Sequence, residues 1–228
     1  MRLDQPSKVN QNIVVNFHFD GVPLTGFAGD TLASALLANN VRILARSFKY
    51  HRPRGIMGAG SEEANALVTV GSGHEKEPNV RATQLEIFEG LEVYSQNNWP
   101  SLKFDFLALN DFAAPLLAAG FYYKTFMWPK SFWEKIYEPI IRRAAGLGSL
   151  SGHANQDRYE KAFAFCDLLV IGGGPAGLMA TLQAARAGLI VILADEDCRL
   201  GGRLNAEKTI IDGASADLWV DSMVQELL

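Results

Sequence analysis

Apolar and polar positions follow two different rhythms along this chain. Residues 13–19 (Ile-Val-Val-Asn-Phe-His-Phe) alternate in part, as half-buried strands do, and Asp20-Gly21 is a hairpin turn signal before a return strand over 22–27. Gly29-Asp30-Thr31 offers a helix cap, and Leu32, Ala35 and Leu36 follow at helical spacing. Further short strands are predicted over 41–45, 66–70, 84–88 and 91–94. The rhythm changes near residue 165. Leu168 to Ile171 is a continuous apolar run that ends in Gly172-Gly173-Gly174-Pro175-Ala176-Gly177. Leu178, Met179, Leu182 and Ala185 then keep helical spacing, and a second apolar run, Leu189 to Ala194, stops at Asp195-Glu196.

Hairpin, helix and further strands predict a β-grasp domain over 1–97, with its elements between about 10 and 97. Residues 98–164 form an aromatic-rich helical connector and linker. Trp99, Phe104, Phe106, Phe112, Phe121, Tyr122, Tyr123, Phe126, Trp128, Phe132, Trp133 and Tyr137 crowd its first two thirds. They either pack against this chain or meet another subunit. Ser131 is placed to cap a helix carrying Phe132, Ile136, Ile140 and Ile141, which Pro139 should kink or interrupt. Gly146 to Asn155 reads as a linker. Residues 165–228 open a doubly wound α/β domain, with a further helix over 214–228. One βαβ unit is less than such a domain needs, so the stretch reads as truncated inside it. The fold class is therefore α/β, with an α+β N-terminal part.

Strand, glycine turn, helix, strand and acid stand in the order of a dinucleotide-binding unit. Gly172 allows the tight turn, Gly174 lets a pyrophosphate approach the backbone, and Gly177 lets helix and strand lie close. Pro175 and Ala176 open the helix, whose first amides face the phosphates. Asp195, or Glu196 beside it, is placed to accept hydrogen bonds from ribose hydroxyls. An acid there disfavours a 2′-phosphate, which favours NAD or FAD over NADP. Gly202 is placed for a second close approach, and Arg203 for a phosphate or for solvent.

Other chemistry is thinly represented. The net charge of −4 gives no general pull toward nucleic acid or anionic membrane. Cys166 and Cys198 are the two cysteines and form no CxxC pair, so both read as ordinary thiols of a cytoplasmic protein. The four histidines are scattered without HxxxH or HExxH spacing, so no metal site is predicted. No GxSxG elbow occurs, and no catalytic residue is assigned. Neither a signal peptide nor about 18 uninterrupted apolar residues is present. Arg42, Arg46, Lys49, His51, Arg52 and Arg54 form a basic run with Phe48 and Tyr50 interleaved. It reads as a solvated or interdomain loop, or as a contact for a phosphate or an acidic partner; single-stranded nucleic acid is the further alternative, which the negative net charge weakens. Glu62-Glu63 reads as a solvated loop.

Several segments resemble the alpha subunit of heterotetrameric sarcosine oxidase. They are Phe27-Ala28-Gly29-Asp30-Thr31-Leu32-Ala33-Ser34-Ala35-Leu36-Leu37-Ala38-Asn39, Arg46-Ser47-Phe48-Lys49-Tyr50-His51-Arg52-Pro53-Arg54-Gly55-Ile56, and Glu77 to Gln84. Ala119 to Pro129 and Asp157 to Ala162 belong with them. The likeness covers nearly the whole chain and about the first quarter of such a subunit. It implies a ferredoxin-like β-grasp domain, here lacking the cluster cysteines that related dehydrogenase subunits carry after the first helix. It also implies NAD on the alpha-subunit Rossmann domain, carried over to Gly172, Gly174, Gly177 and Asp195 or Glu196. FAD and FMN, a folate site for tetrahydrofolate, and beta, gamma and delta partner subunits are implied for the complete complex. The competing readings are a related FAD- or NAD-dependent amine or amino-acid dehydrogenase subunit, and a non-catalytic interaction module.

Overall fold

The computed structural model describes residues 9–115, 120, 126, 128–144, 146, 148–154, 156 and 158–228. Phe121, Tyr122 and Tyr123 of the aromatic connector lie outside the described residues. Residues 9–58 and 63–156 gather into one compact unit, and 59–62 with 158–228 into a second.

The first unit is built on a mixed sheet. β1 (Asn10–Phe19) pairs antiparallel with β2 (Val22–Ala28) through a turn in which Asp20 and Gly21 both have positive φ, the type I′ geometry that suits strand twist. Helix α1 (Leu32–Ala38) follows, with Thr31 as N-cap accepting from the Ser34 amide. Then come β3 (Ala45–Arg46), β4 (Pro53–Arg54), β5 (Leu67–Val70), β6 (Glu77–Arg81) and β7 (Leu91–Tyr94). The five-stranded sheet has the order β2-β1-β7-β5-β6, and β7 lies parallel to β1 at its centre. Every second residue of β1 from Val15 points inward, and Leu91 and Val93 of β7 do the same. They meet Leu32, Ala35 and Leu36 of α1 in a core where Phe17, Leu32, Leu36, Leu44 and Val68 are fully buried. Each such side chain contributes about 1.5–3 kcal/mol to folding.

Two predicted strands differ from what forms. Residues 84–88 make no ladder, because the Gln84 and Leu85 amides turn back to the Arg81 carbonyl and further bonds go to the start of α1. The Leu32 amide donates to the Leu85 carbonyl at 2.7 Å, and the Ile87 amide to that of Asp30 at 3.0 Å. Only Ala45 of the 41–45 stretch enters a strand, in the two-residue pair of β3 with β4. One edge of the sheet, opposite β2, is formed instead by β6, which contains Pro78 and a left-handed Asn79. Proline is tolerated on an edge because the missing donor faces no neighbour.

The basic run is divided among internal partners. The Arg46 guanidinium donates to the Leu102 carbonyl at 2.7 Å, and Arg52 meets Asp111 at 3.2 Å. Lys49 and Arg52 both stand 4.9 Å from the Tyr50 ring centroid. His51 is buried, with Nδ1 2.8 Å from Oδ2 of Asp105. Glu63 is also buried, so the solvated Glu62-Glu63 loop is corrected for that residue. Its carboxylate accepts from four backbone amides, a compensation that burying a charge requires.

Past Trp99, rings stack in small groups, with Phe104 and Phe106 edge-on at 4.9 Å and Phe126 and Tyr137 at 5.1 Å. The helical stretch begins as a 3-10 turn over Lys130–Phe132, with Pro129 in place of Ser131 as its N-cap. A π turn over Trp133–Tyr137 leads into α2 (Glu138–Ala144). Pro139 has no amide to give the preceding turn, and the wide turn before it is the interruption its position called for. Among the described residues, no helix is long and apolar enough to cross a membrane.

In the second unit β8 (Leu168–Ile171) and β9 (Val191–Ala194) lie parallel, joined by α3 (Pro175–Arg186). A small hairpin, β10 (Ile210–Ile211) with β11 (Ala214–Ser215), precedes α4 (Ala216–Leu227). Leu178 of α3 packs with Leu204, Ala216, Trp219 and Val220 in a separate core. Arg186 and Glu226 tie the two helices with bonds of 2.7 and 2.8 Å.

Candidate functional site

The turn from β8 into α3 is shaped by what each glycine excludes. Gly172 has φ +101, and its amide donates to the Ala194 carbonyl at 2.8 Å, which ends the strand pairing. A Cβ on Gly177 would lie 1.8 Å from the Gly172 carbonyl oxygen, so this glycine is a contact between helix and strand. A Cβ on Gly174 would meet nothing within 4 Å. The space over Gly174 is open where the space over Gly177 is filled. Gly174 is also the N-cap of α3, Pro175 stands in the first turn, and no side chain caps the helix. The first-turn amides therefore remain available to an anion, with the positive end of the helix dipole behind them.

The other predicted residues converge on the same hollow. Ile171, Gly172, Gly174, Pro175, Ala194, Asp195, Glu196, Asp197, Gly202 and Arg203 line it. Ala176 is exposed on the first turn of α3, and Gly177 sits behind the hollow against the strand. Gly202 packs on Gly174, since a Cβ there would lie 3.2 Å from the Gly174 Cα. The Gly201 amide donates to the Gly173 carbonyl at 2.7 Å, so the loop after β9 is tied to the glycine turn. Arg203 is largely exposed and donates through Nε to Glu207 at 2.7 Å; that bond and the Glu207 charge raise its pKa.

Asp195 is half-buried at the tip of β9. Its Oδ2 accepts from the Gly173 amide and its Oδ1 from the Asp197 amide at 2.7 Å. Sequence reasoning placed Asp195 toward a ribose and overlooked this link to the turn. The available signal was the middle glycine of the run, since a Cβ on Gly173 would meet Leu200 at 2.3 Å and Asp195 Oδ2 at 3.0 Å. Ile171, Ala194 and Asp197 carry no comparable sequence signal.

An ADP-containing dinucleotide fits this arrangement on two counts. The turn leaves an uncapped helix start beside a glycine whose missing Cβ is open space. The acids at the tip of β9 suit ribose hydroxyls and repel a 2′-phosphate.

Comparison with known proteins follows the same division of the chain. Residues 13–98 match the family model of a 2Fe-2S iron-sulfur cluster binding domain, and residues 167–228 that of an FAD dependent oxidoreductase. The chain is similar to the sarcosine oxidase subunit alpha of Rhizobium meliloti (strain 1021), with 60% identity over 215 residues, 94% of this chain and 22% of that protein. It is 33% identical over 225 residues to the corresponding subunit of Corynebacterium sp. (strain U-96), 97% of this chain and 18% of that protein. The crystal structure of L-proline dehydrogenase from P. horikoshii is similar at a TM-score of 0.49 and 20% identity, over 99% of this chain and 33% of that one. The chain spans about a fifth of the length of the curated relatives it matches. The fold is thus a ferredoxin-like sheet followed by an FAD-oxidoreductase-type βαβ unit, and the resemblance read from the sequence is the one these comparisons return.

The iron–sulfur part of that likeness does not carry over to chemistry. A 2Fe-2S cluster is held by thiolates, and both cysteines, Cys166 and Cys198, lie outside residues 13–98. Among the described residues, no three His, Cys, Asp or Glu side chains are grouped to hold a metal.

Proposed function

We propose, from a likeness to sarcosine oxidase alpha subunits that runs through both units, that this chain serves in an oxidoreductase of that kind and binds a dinucleotide at the β8–α3 turn. The observation that carries the binding role is the contrast between Gly174, open to a ligand, and Gly177, closed against the strand. The dinucleotide in this reading is NAD. Gly174 and Ala176 would receive the pyrophosphate through backbone amides, while Gly172 makes the turn and Pro175, which has no N–H, opens the helix beside it. Asp195 would hold the turn and, with Glu196, face the ribose. Gly202 would complete the wall beside Gly174. Arg203, which lines the hollow, would exchange Glu207 for a phosphate.

No residue of this chain is assigned to the oxidation itself. In the proposed assembly, sarcosine would be oxidatively demethylated, with electrons leaving through flavin (FAD and FMN) to oxygen and the one-carbon unit passing to tetrahydrofolate. The partners would be beta, gamma and delta subunits, with the exposed rings of the connector, Trp99, Phe112 and Trp128, available for contact. The domain limits 1–97, 98–164 and 165–228 and a cytoplasmic location belong to the same proposal. A second reading places FAD in the turn, favoured by the FAD-oxidoreductase match over 167–228. Denaturing the natural complex and identifying the released nucleotides by mass spectrometry separates the two. NAD in proportion to this chain supports the first reading. FAD alone supports the second, and no adenine dinucleotide at all refutes both.

A further inference from the structure

The loop between β4 and β5 closes around a single buried carboxylate. Glu63 Oε2 accepts from the amides of Met57 at 2.6 Å and Gly58 at 2.5 Å, and Oε1 from those of Asn65 at 2.7 Å and Ala66 at 3.2 Å. The residue is 2% exposed. No cation neutralises it in these bonds: every donor is a neutral backbone amide, drawn from both arms of the loop. Four amides converging on one point form a concavity for an anion. The domain model matched over 13–98 belongs to proteins that bind a 2Fe-2S cluster, yet this segment has no thiol to hold one. The group that orders this loop is one the chain itself supplies, the Glu63 carboxylate.

We infer that Met57, Gly58, Asn65 and Ala66 form a built anion site whose resident ligand is the chain's own Glu63 carboxylate, and that removing it opens a site for a small free carboxylate. Four charge-assisted hydrogen bonds hold the two arms together, each stronger than a neutral pair. Without the anion, four amides are left unpaired inside the fold, which is the costly arrangement. Glutamine keeps the shape but offers one acceptor oxygen, so it satisfies one arm and presents an amide donor to the other.

The test is hydrogen exchange, read by mass spectrometry on the full chain, over residues 55–66. Glu63→Ala should speed exchange of the loop amides by about tenfold or more. Rising formate, against chloride at equal ionic strength, should slow it again. Glu63→Gln should expose the amides of one arm and leave the other protected. Unchanged exchange in Glu63→Ala, or no difference between formate and chloride, overturns the inference. Should the alanine variant fail to fold, Glu63→Gln decides: wild-type protection at all four amides overturns the inference, and loss on one arm upholds it.

Discussion

Replacing Gly177 with alanine sets two physical effects of opposite sign against each other. Helix propensity alone favours the change by about 1 kcal/mol, since glycine inside a helix costs that much relative to alanine. The contact opposes it. The new Cβ would lie 1.8 Å from the Gly172 carbonyl oxygen, and ordinary contact begins at 3.4 Å. Strand and helix would have to part by roughly 1.5 Å, where a close-packed interior gives way only by tenths. Such overpacking costs about 1–3 kcal/mol, and the Gly172 amide bond to Ala194 adds about 1 kcal/mol if it breaks. The expected net loss is about 1–3 kcal/mol, concentrated at the β8–α3 junction. Hydrogen exchange over residues 168–188 measures it, and protection there should fall roughly 5- to 150-fold. Gly174→Ala is the control. Its Cβ meets nothing and its φ of −67° suits alanine, so the fold loses only the cap preference, about 0.5–1 kcal/mol. Dinucleotide binding should nonetheless collapse, because the methyl occupies the space over the turn. Wild-type protection in Gly177→Ala, or wild-type affinity in Gly174→Ala, would refute the reasoning.

Asp195→Ala should weaken NAD binding by about 1–3 kcal/mol in a calorimetric titration; a loss seen in Glu196→Ala instead would move the ribose role to that residue. The Glu63 carboxyl is pushed up by burial but held below its usual range by the amides of Gly58, Asn65, Met57 and Ala66, which outweigh it. A carboxyl depressed on folding stabilises above its unfolded pKa, near 4.3, and that contribution is lost as pH falls through the lower folded value. Protection of the loop amides over 55–66, corrected for the intrinsic pH dependence of exchange, should accordingly fall in acid below that range, and an acid-insensitive protection would contradict the assignment. Thr31→Ala should cost about 1 kcal/mol in chemical denaturation, because the Ser34 amide loses its cap.

What the sequence alone determined about this protein is its local logic. The Asp20-Gly21 hairpin, the Thr31 cap and the run from Leu168 through Gly177 to Asp195 depend on neighbours within a few residues or on one βαβ unit, so periodicity and turn chemistry reveal them. Strand pairing was less visible. β6 hides behind Pro78 and Asn79, and residues 84–88 look like a strand but spend their hydrogen bonds on Arg81 and the start of α1. Only the folded sheet decides which backbone faces an edge and which a helix end. The same holds for charge. Glu63 stands beside Glu62 like any solvated acid, and Asp195 looks like a free ribose ligand. The tertiary structure buries the first among four amides and ties the second to the glycine turn. Backbone amides carry no mark in the sequence, so a site made of them becomes legible only when the chain has folded around it.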